Sequence, residues 1–333
     1  MPTPLLILSR REVEELLPMG ECIEAMAEGL SALARGEALQ PLRSVLWTPD
    51  RNGLLGVMPG HLSGAAETAG LLGVKLVTVF PGNHARGEDS HQGLVVLFDD
   101  ATGAPLAVFD AAAITAIRTA AVSGLATRLL AREGASDLAI LGSGVQATTH
   151  LEAMRAVRRL SRVRVWSRDP EHARRFAAAE GERQGVDIEA VSSAREAVHG
   201  ADLICTVTAA REPVLEGAWI SPGAHVNAVG ASTPATRELD AAAVARARLF
   251  VDRRESALNE AGDFLLALQE GAIDERHILG ELGDLLTDRM AGRGGEEEIT
   301  LFKSLGLAVE DLAAGRHLYR RATAEKRGTR FAM

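Results

Sequence analysis

Cysteine is scarce in this chain. Cys22 and Cys205 are the only two in 333 residues, a usage that fits a reducing compartment, and a chain of this length fills a core without disulfide staples. No CxxC or His-rich spacing occurs, so no metal site is expected. Positive charge is in deficit as well: 36 Lys plus Arg stand against 45 Asp plus Glu, a formal net charge of −9. That balance gives no electrostatic reason to expect nucleic acid as a partner. Long apolar runs are missing, and none approaches the ~20 residues of a membrane span. The opening Met1-Pro2-Thr3-Pro4-Leu5-Leu6-Ile7-Leu8 has no basic leader, and its apolar stretch is too short for a signal peptide. The expectation is a soluble, cytoplasmic protein with neither nucleic acid nor membrane as a partner. What is present is ordinary for a globular chain, with 47% apolar and 24% charged residues. The length suggests about two domains at roughly 150 residues each.

The first section reads as mixed structure. Ser9 with Glu12 forms a capping-box pattern, and Cys22, Ile23, Met26, Leu30 and Leu33 recur at helical spacing before Gly36. Strand-like runs follow at Leu42–Trp47, Leu54–Met58, Val74–Phe80, Leu94–Phe98 and Pro105–Phe109. The last two flank a turn, Asp99 to Gly103, as a hairpin does. Strands in succession without helices between them imply a largely antiparallel sheet. Ala111–Leu130 carries Ile114, Ile117, Ala121, Leu125 and Leu129 along one side of a long helix.

After Gly134 the pattern changes to alternating strands and helices. Candidate strands lie at Leu138–Leu141, Val163–Trp166, Ile188–Val191, Leu203–Val207, His225–Val229, Leu249–Val251 and Ile299–Phe302. Such alternation implies a Rossmann-type doubly wound parallel sheet in an α/β fold. Met290–Glu298 reads as a solvated loop, Leu305–Tyr319 as a final helix, and the basic segment from Ala324 to Arg330 as a frayed end.

The most informative segment is Leu138-Ala139-Ile140-Leu141-Gly142-Ser143-Gly144-Val145-Gln146-Ala147. An apolar strand runs into Gly-x-Gly-x-x-Ala, and a helix-compatible stretch follows. In a dinucleotide-binding turn Gly142 permits the tight bend, Gly144 admits the pyrophosphate, and small Ala147 lets the helix pack close. The N–H groups at the helix start, around Ser143, Val145 and Gln146, then face phosphate. NAD-binding versions place an acid at the end of the second strand, about 20 residues on. Here Val165-Trp166 leads into Ser167 and Arg168, which suit a 2′-phosphate, while Asp169 comes late and serves as the cap of the helix opening at Pro170. The cofactor expected is therefore NADP (NADPH), with NAD less favoured.

Three cations in the first section need partners. Lys75 lies on a strand whose two faces are both apolar, so coverage on both sides is expected, with Lys75 partly buried or reaching out at the strand end. Arg43 alternates with Val45 and Trp47, and Arg118 lies beside the apolar stripe of the long helix. Buried cations require partners. Spacing alone favours structural ion pairs, although one small carboxylate ligand would satisfy all three.

The chain resembles the ornithine cyclodeaminase/mu-crystallin family over nearly its whole length. The resemblance is carried by Gly73-Val74-Lys75, Ser90-His91-Gln92-Gly93, Leu97-Phe98-Asp99, Thr115 to Ala121, Gly142 to Ala147, Val226 to Gly230, Arg237 to Asp240 and Phe302 to Gly306. It implies a dinucleotide-binding domain at 126–305 and a substrate and dimerisation domain at 1–125 with 306–333. It further implies a homodimer whose first domains share a β-barrel. By position, Arg43, Lys75 and Arg118 match the family's carboxylate-binding cations, and His91, Thr206, Val229 and Ser304 match residues along the nicotinamide half of the cofactor. For His91, a structural histidine is an equal reading.

One departure bears on the reaction. Cyclodeaminases of this family carry an aspartate just after the Asn-Ala-Val-Gly segment, and this chain has Ser232 there. Serine without a partner base is a poor proton acceptor near neutral pH. The resemblance then implies an NADPH-dependent reductase of imino acids, acting on cyclic ketimines such as Δ1-pyrroline-2-carboxylate or Δ1-piperideine-2-carboxylate, with Lys75 polarising the C=N group or relaying a proton. Alternatives are an alanine-dehydrogenase-like activity, ornithine cyclodeaminase itself, and a non-enzymatic NADPH-dependent small-ligand binder.

Overall fold

The computed structural model describes residues 4–64 and 69–332, with the backbone alone at 84 and 85; Met1–Thr3 of the opening stretch lie outside it. In chain order the strands are β1 (Leu5–Leu8), β2 (Ala38–Leu39), β3 (Ser44–Trp47), β4 (Leu54–Leu62), β5 (Leu71–Val79), β6 (His91–Asp99), β7 (Pro105–Asp110), β8 (Asp137–Leu141), β9 (Arg162–Trp166), β10 (Glu189–Ala190), β11 (Leu203–Thr206), β12 (His225–Ala228), β13 (Arg248–Val251), β14 (Ile278–Glu281), β15 (Thr300–Lys303) and β16 (Thr329–Phe331). Two compact units result: Met1–Arg118 with Gly306–Met333, and Thr119–Leu305. The dividing point falls inside the long helix Ala111–Leu130, between Arg118 and Thr119, whereas the resemblance implies 125/126.

The first unit holds one sheet in the order β16-β1-β7-β6-β5-β4-β2, with β3 on β4. Its pairs are antiparallel except β1 with β7. Local chemistry sets its punctuation. Ser9 and Glu12 form the reciprocal capping box at Arg10, and Gly36 ends the helix Met19–Arg35 with φ +77°. Asp99 Oδ1 accepts from the Thr102 backbone N–H at 2.8 Å, which fixes the β6–β7 turn.

One face of this sheet is closed by the helix Ala308–Ala324, and Met58, Leu62, Leu71, Val95 and Leu97 are buried there. The other face departs from the sequence expectation. Leu72 and Leu94 are 43% and 47% exposed, and Val74, Leu76 and Val96 are only half-buried. The alternation of β5 is apolar on both sides, but this chain's own elements bury one side only. Likewise β3 is exposed along its full length rather than covered. The C-terminal segment is a second correction. It is no frayed end, since Thr329–Phe331 pairs antiparallel with β1 and Arg327 forms an ion pair with Glu15.

The second unit contains an eight-stranded sheet, β10-β9-β8-β11-β12-β15-β13-β14, parallel throughout. Its central strands are buried on both faces, with Leu138, Ile140, Val165, Ile204, Val226, Phe250 and Phe302 in the core, as helices on both sides of a parallel sheet require. The chain winds outward through β8, β9 and β10, then returns to β11 beside β8 and continues through β12. The direction reverses between β8 and β11, and their carboxyl ends part there. That crevice is where open α/β sheets bind ligands. The sequence reading assigned nothing to β14 or to the helices Arg254–Glu260 and Gly262–Gln269. The 290–298 loop is anchored more firmly than expected: Arg293 donates to Leu130 O at 2.8 Å and to Thr300 Oγ1 at 2.9 Å.

Candidate functional site

The glycine turn stands at the reversal point. Gly142 closes β8 with φ +123°, a Cβ there would lie 2.8 Å from Val207 O, and its N–H donates to Trp166 O at 2.8 Å. No L side chain suits that conformation and that space. Gly144 is different: a Cβ added there would meet nothing within 4 Å. Protein packing therefore does not demand glycine at 144, and the open space beside the backbone is what an approaching phosphate needs. Ala147 is fully buried under the helix Val145–Val157, whose N-terminus no side chain caps. Val145 is 65% exposed at its first turn. These residues fit a bound dinucleotide.

Around this turn the carboxyl edge of the sheet carries other expected residues. Thr206 ends β11 opposite Leu141 of β8 and is buried. Val229 follows β12 and donates its N–H to Thr206 O at 3.0 Å, and Ser304 follows β15 and donates its N–H to Ala228 O at 3.0 Å. Ser167 and Arg168 follow β9, the first half-buried and the second exposed. Asp169 caps the helix Pro170–Gln184 by accepting from Glu171 N–H at 2.9 Å, as its spacing suggested. His91 belongs to the first unit, exposed at the start of β6, with Nδ1 2.9 Å from Ser90 Oγ. Ser232 is exposed in the loop after β12.

The first unit gathers the three cations. Lys75 is 3% exposed and its Nζ lies 2.8 Å from Asp311 Oδ2. Arg118, 4% exposed, reaches Asp311 Oδ1 through Nε at 3.0 Å and Glu310 Oε2 through NH1 at 2.9 Å. Arg43, half-buried just before β3, donates from NH2 to Gly306 O at 3.0 Å. Gly306 has φ +78°, and a Cβ there would come within 2.6 Å of the Arg118 guanidinium. Three segments distant in sequence thus converge on Gly306 and the first turn of the helix Ala308–Ala324.

Internal acids partner two of the cations. Asp311 bridges Lys75 and Arg118, and Glu310 holds Arg118 from a second side, both carboxylates being fully buried. The reading from spacing, structural ion pairs, holds for Lys75 and Arg118, and a carboxylate ligand would join a set that already contains acids. Lys75 also proves buried rather than reaching out. Burial lowers its pKa to about 8, with the Arg118 charge acting in the same direction and Asp311 opposing both.

Sequence reasoning missed Glu310 and Asp311. Their signal was two adjacent acids inside the apolar stretch Leu305-Gly306-Leu307-Ala308-Val309-Glu310-Asp311-Leu312-Ala313-Ala314. It also missed the role of buried Glu238, Asp263 and Lys303 in the second unit.

A parallel sheet with a glycine turn at its reversal point, in a chain whose other unit holds a buried cationic cluster, defines a Rossmann-type α/β protein of the dinucleotide-binding class. The chain belongs to the ornithine cyclodeaminase/mu-crystallin family, whose model matches residues 5–326. The mouse ketimine reductase mu-crystallin (Mus musculus) is 45% identical over 316 residues, covering 94% of this chain and 96% of that protein. The structure of Thermococcus litoralis Δ1-pyrroline-2-carboxylate reductase in complex with NADH and L-proline superposes with a TM-score of 0.93 at 40% identity, covering 98% of this chain and 99% of that one. An archaeal alanine dehydrogenase dimer with bound NAD matches with a TM-score of 0.92 at 33% identity, covering 99% and 100%. Among the described residues no helix is long and apolar enough to cross a membrane, and no group of three metal-ligating side chains occurs.

Proposed function

We propose that this protein is an NADPH-dependent reductase of imino acids that converts a cyclic ketimine carboxylate, Δ1-pyrroline-2-carboxylate or Δ1-piperideine-2-carboxylate, into the cyclic amino acid. The observation that carries the reading is the convergence of Arg43, Lys75 and Arg118 at Gly306 and Asp311, in a chain whose full-length relatives include a ketimine reductase and a Δ1-pyrroline-2-carboxylate reductase. Two planar guanidiniums and one ammonium suit a carboxylate. When bound, the nicotinamide supplies hydride for the imine carbon, and a proton must reach the nitrogen. Lys75, with a pKa near 8, is charged at neutral pH and can both polarise the C=N bond and yield that proton.

In the second unit, the N–H groups at Ser143–Gln146 and the open space at Gly144 would hold the pyrophosphate. Thr206, Val229 and Ser304 would lie along the nicotinamide half. Ser167 and Arg168 stand where an acid would bind a ribose hydroxyl, which favours NADPH over NADH. Arg168→Ala is expected to weaken NADPH at least tenfold, about 1.4 kcal/mol, and NADH by much less. Titrating both cofactors checks this, and equal losses would remove the 2′-phosphate assignment. The half-exposed apolar face of Leu72, Val74, Leu76, Leu94 and Val96 supports a homodimer in which a second copy covers it.

The reading is tested by following NADPH oxidation over the two cyclic ketimines, pyruvate with ammonium, and ornithine with ammonia release monitored. Turnover of a ketimine well above the others is expected. Pyruvate with ammonium as the better substrate would favour the alanine-dehydrogenase reading that the archaeal likeness supports. Saturable binding without turnover across the panel would make the protein a binder.

A further inference from the structure

The strongest feature outside the two clusters above is a buried polar relay along the carboxyl edge of the second sheet. Glu238 is fully buried. Its Oε2 accepts from Thr206 Oγ1 at 2.8 Å and from Gly230 N–H at 2.6 Å, and its Oε1 from Thr208 N–H at 2.5 Å and Thr208 Oγ1 at 2.8 Å. Two of these donors are backbone N–H groups, which can only donate, so the site is built for an acceptor. Behind Glu238, Asp263 Oδ1 accepts from the backbone N–H of Glu238 at 2.7 Å and of Leu239 at 3.0 Å. The other oxygen of Asp263 pairs with Lys303 Nζ at 2.9 Å, and all three side chains are buried.

This relay joins three neighbouring strand ends. Thr206 ends β11, Gly230 lies just past β12, and Lys303 ends β15 immediately before Ser304. Thr206, Val229 and Ser304, or the residue next to each, are therefore fixed by one carboxylate and its support. A purely packing role would be met by an apolar residue of similar volume, because buried ion pairs are commonly replaced that way without loss of stability. Directional hydrogen bonds to the loops after β11 and β12 instead set the position of backbone atoms.

We propose that Glu238, supported by Asp263 and Lys303, is a positioning residue for the nicotinamide half of the cofactor, holding the ends of β11 and β12 in the geometry that receives the ring; this rests on the dinucleotide reading above. The adenine and pyrophosphate half is held by a separate part of the sheet edge, the Gly142–Ala147 turn and Ser167-Arg168. The two halves of the ligand should thus respond differently when the relay is cut.

The test compares NADPH with 2′-phospho-ADP-ribose, which lacks nicotinamide, and NADH with ADP-ribose, by calorimetric titration of the full chain. Glu238→Gln keeps the size of the side chain but turns one acceptor oxygen into a donor that faces other donors. The expected result is a Kd for NADPH raised at least about tenfold, with the Kd for 2′-phospho-ADP-ribose within about twofold of wild type. The NADH and ADP-ribose pair should divide in the same sense. Thr208→Val, which deletes one hydroxyl donor and leaves the backbone N–H in place, should show the same division to a smaller degree and serves if Glu238→Gln does not fold. Equal weakening of both ligands, or no weakening of either, would overturn the proposal. Wild-type protein that binds neither dinucleotide would instead overturn the cofactor reading on which it rests.

Discussion

Lys75→Met is expected to lower kcat/KM for the preferred imine by at least about a thousandfold, with NADPH affinity unchanged. Two effects add. Truncating one partner of a desolvated charge pair typically costs about 2–5 kcal/mol, and loss of a positioned proton donor typically costs a further factor of about 10² or more. Fold loss is a smaller concern than for most buried charges, because Asp311 has a second partner in Arg118, 3.0 Å away. Steady-state kinetics with a parallel cofactor titration checks this. A variant that binds cofactor normally and turns over within tenfold of wild type would exclude Lys75 from both roles.

The same residue sets a pH dependence. The acting form is the ammonium, so kcat/KM should be level below neutrality and fall as pH rises through about 8. The charged groups acting on Lys75 are Arg118 and Arg43, which lower its pKa, and Asp311, which raises it. Asp311→Asn removes the raising interaction, and the alkaline limb should move to lower pH. If Asp311 were only a structural partner of Arg118, the limb would stay in place while stability fell.

The fold was legible wherever burial follows from this chain alone. The strands of the second unit are buried on both faces, and their uniform apolar runs with intervening helical periods marked β8, β9, β11, β12, β13 and β15 directly. The glycine turn was legible because its conformational demand at Gly142 leaves a signature in residue type. Where pattern and partner part company, the reading failed. Val74–Phe80 is apolar on both faces, and no periodicity can say which cover belongs to the same chain; β5 is closed on one side only. Thr329–Phe331 looked like a basic end because its contribution is backbone pairing to β1, which composition does not encode.

The site divides in the same way. Arg43, Lys75 and Arg118 were conspicuous as cations in apolar surroundings, and the structure brings all three to Gly306 and Asp311. Their acids were not conspicuous. Glu310 and Asp311 stand in the first turn of a helix, where carboxylates are common because the helix dipole favours them, so their function was masked by an ordinary reason for being there. Glu238 was hidden for another cause. It lies in an irregular stretch, and only the folded chain shows that its carboxylate gathers donors from two separate loops.

Arg118→Met should separate the binding role of the cluster from its structural one. Arg118 is the partner of two fully buried carboxylates, and removing one member of a buried ion pair typically costs about 3–5 kcal/mol because the remaining charge is uncompensated. Thermal or denaturant unfolding should therefore show a large loss of stability alongside a fall in kcat/KM of at least about 2 kcal/mol. Adding Glu310→Gln removes one of the orphaned charges. The double variant is expected to recover a substantial part of the stability and none of the activity, since the lost guanidinium is what would hold the substrate carboxylate. Activity that returns together with stability would mean that Arg118 supports the fold and does not touch the substrate. A folded single variant with near-wild-type kcat/KM would remove it from the carboxylate site altogether.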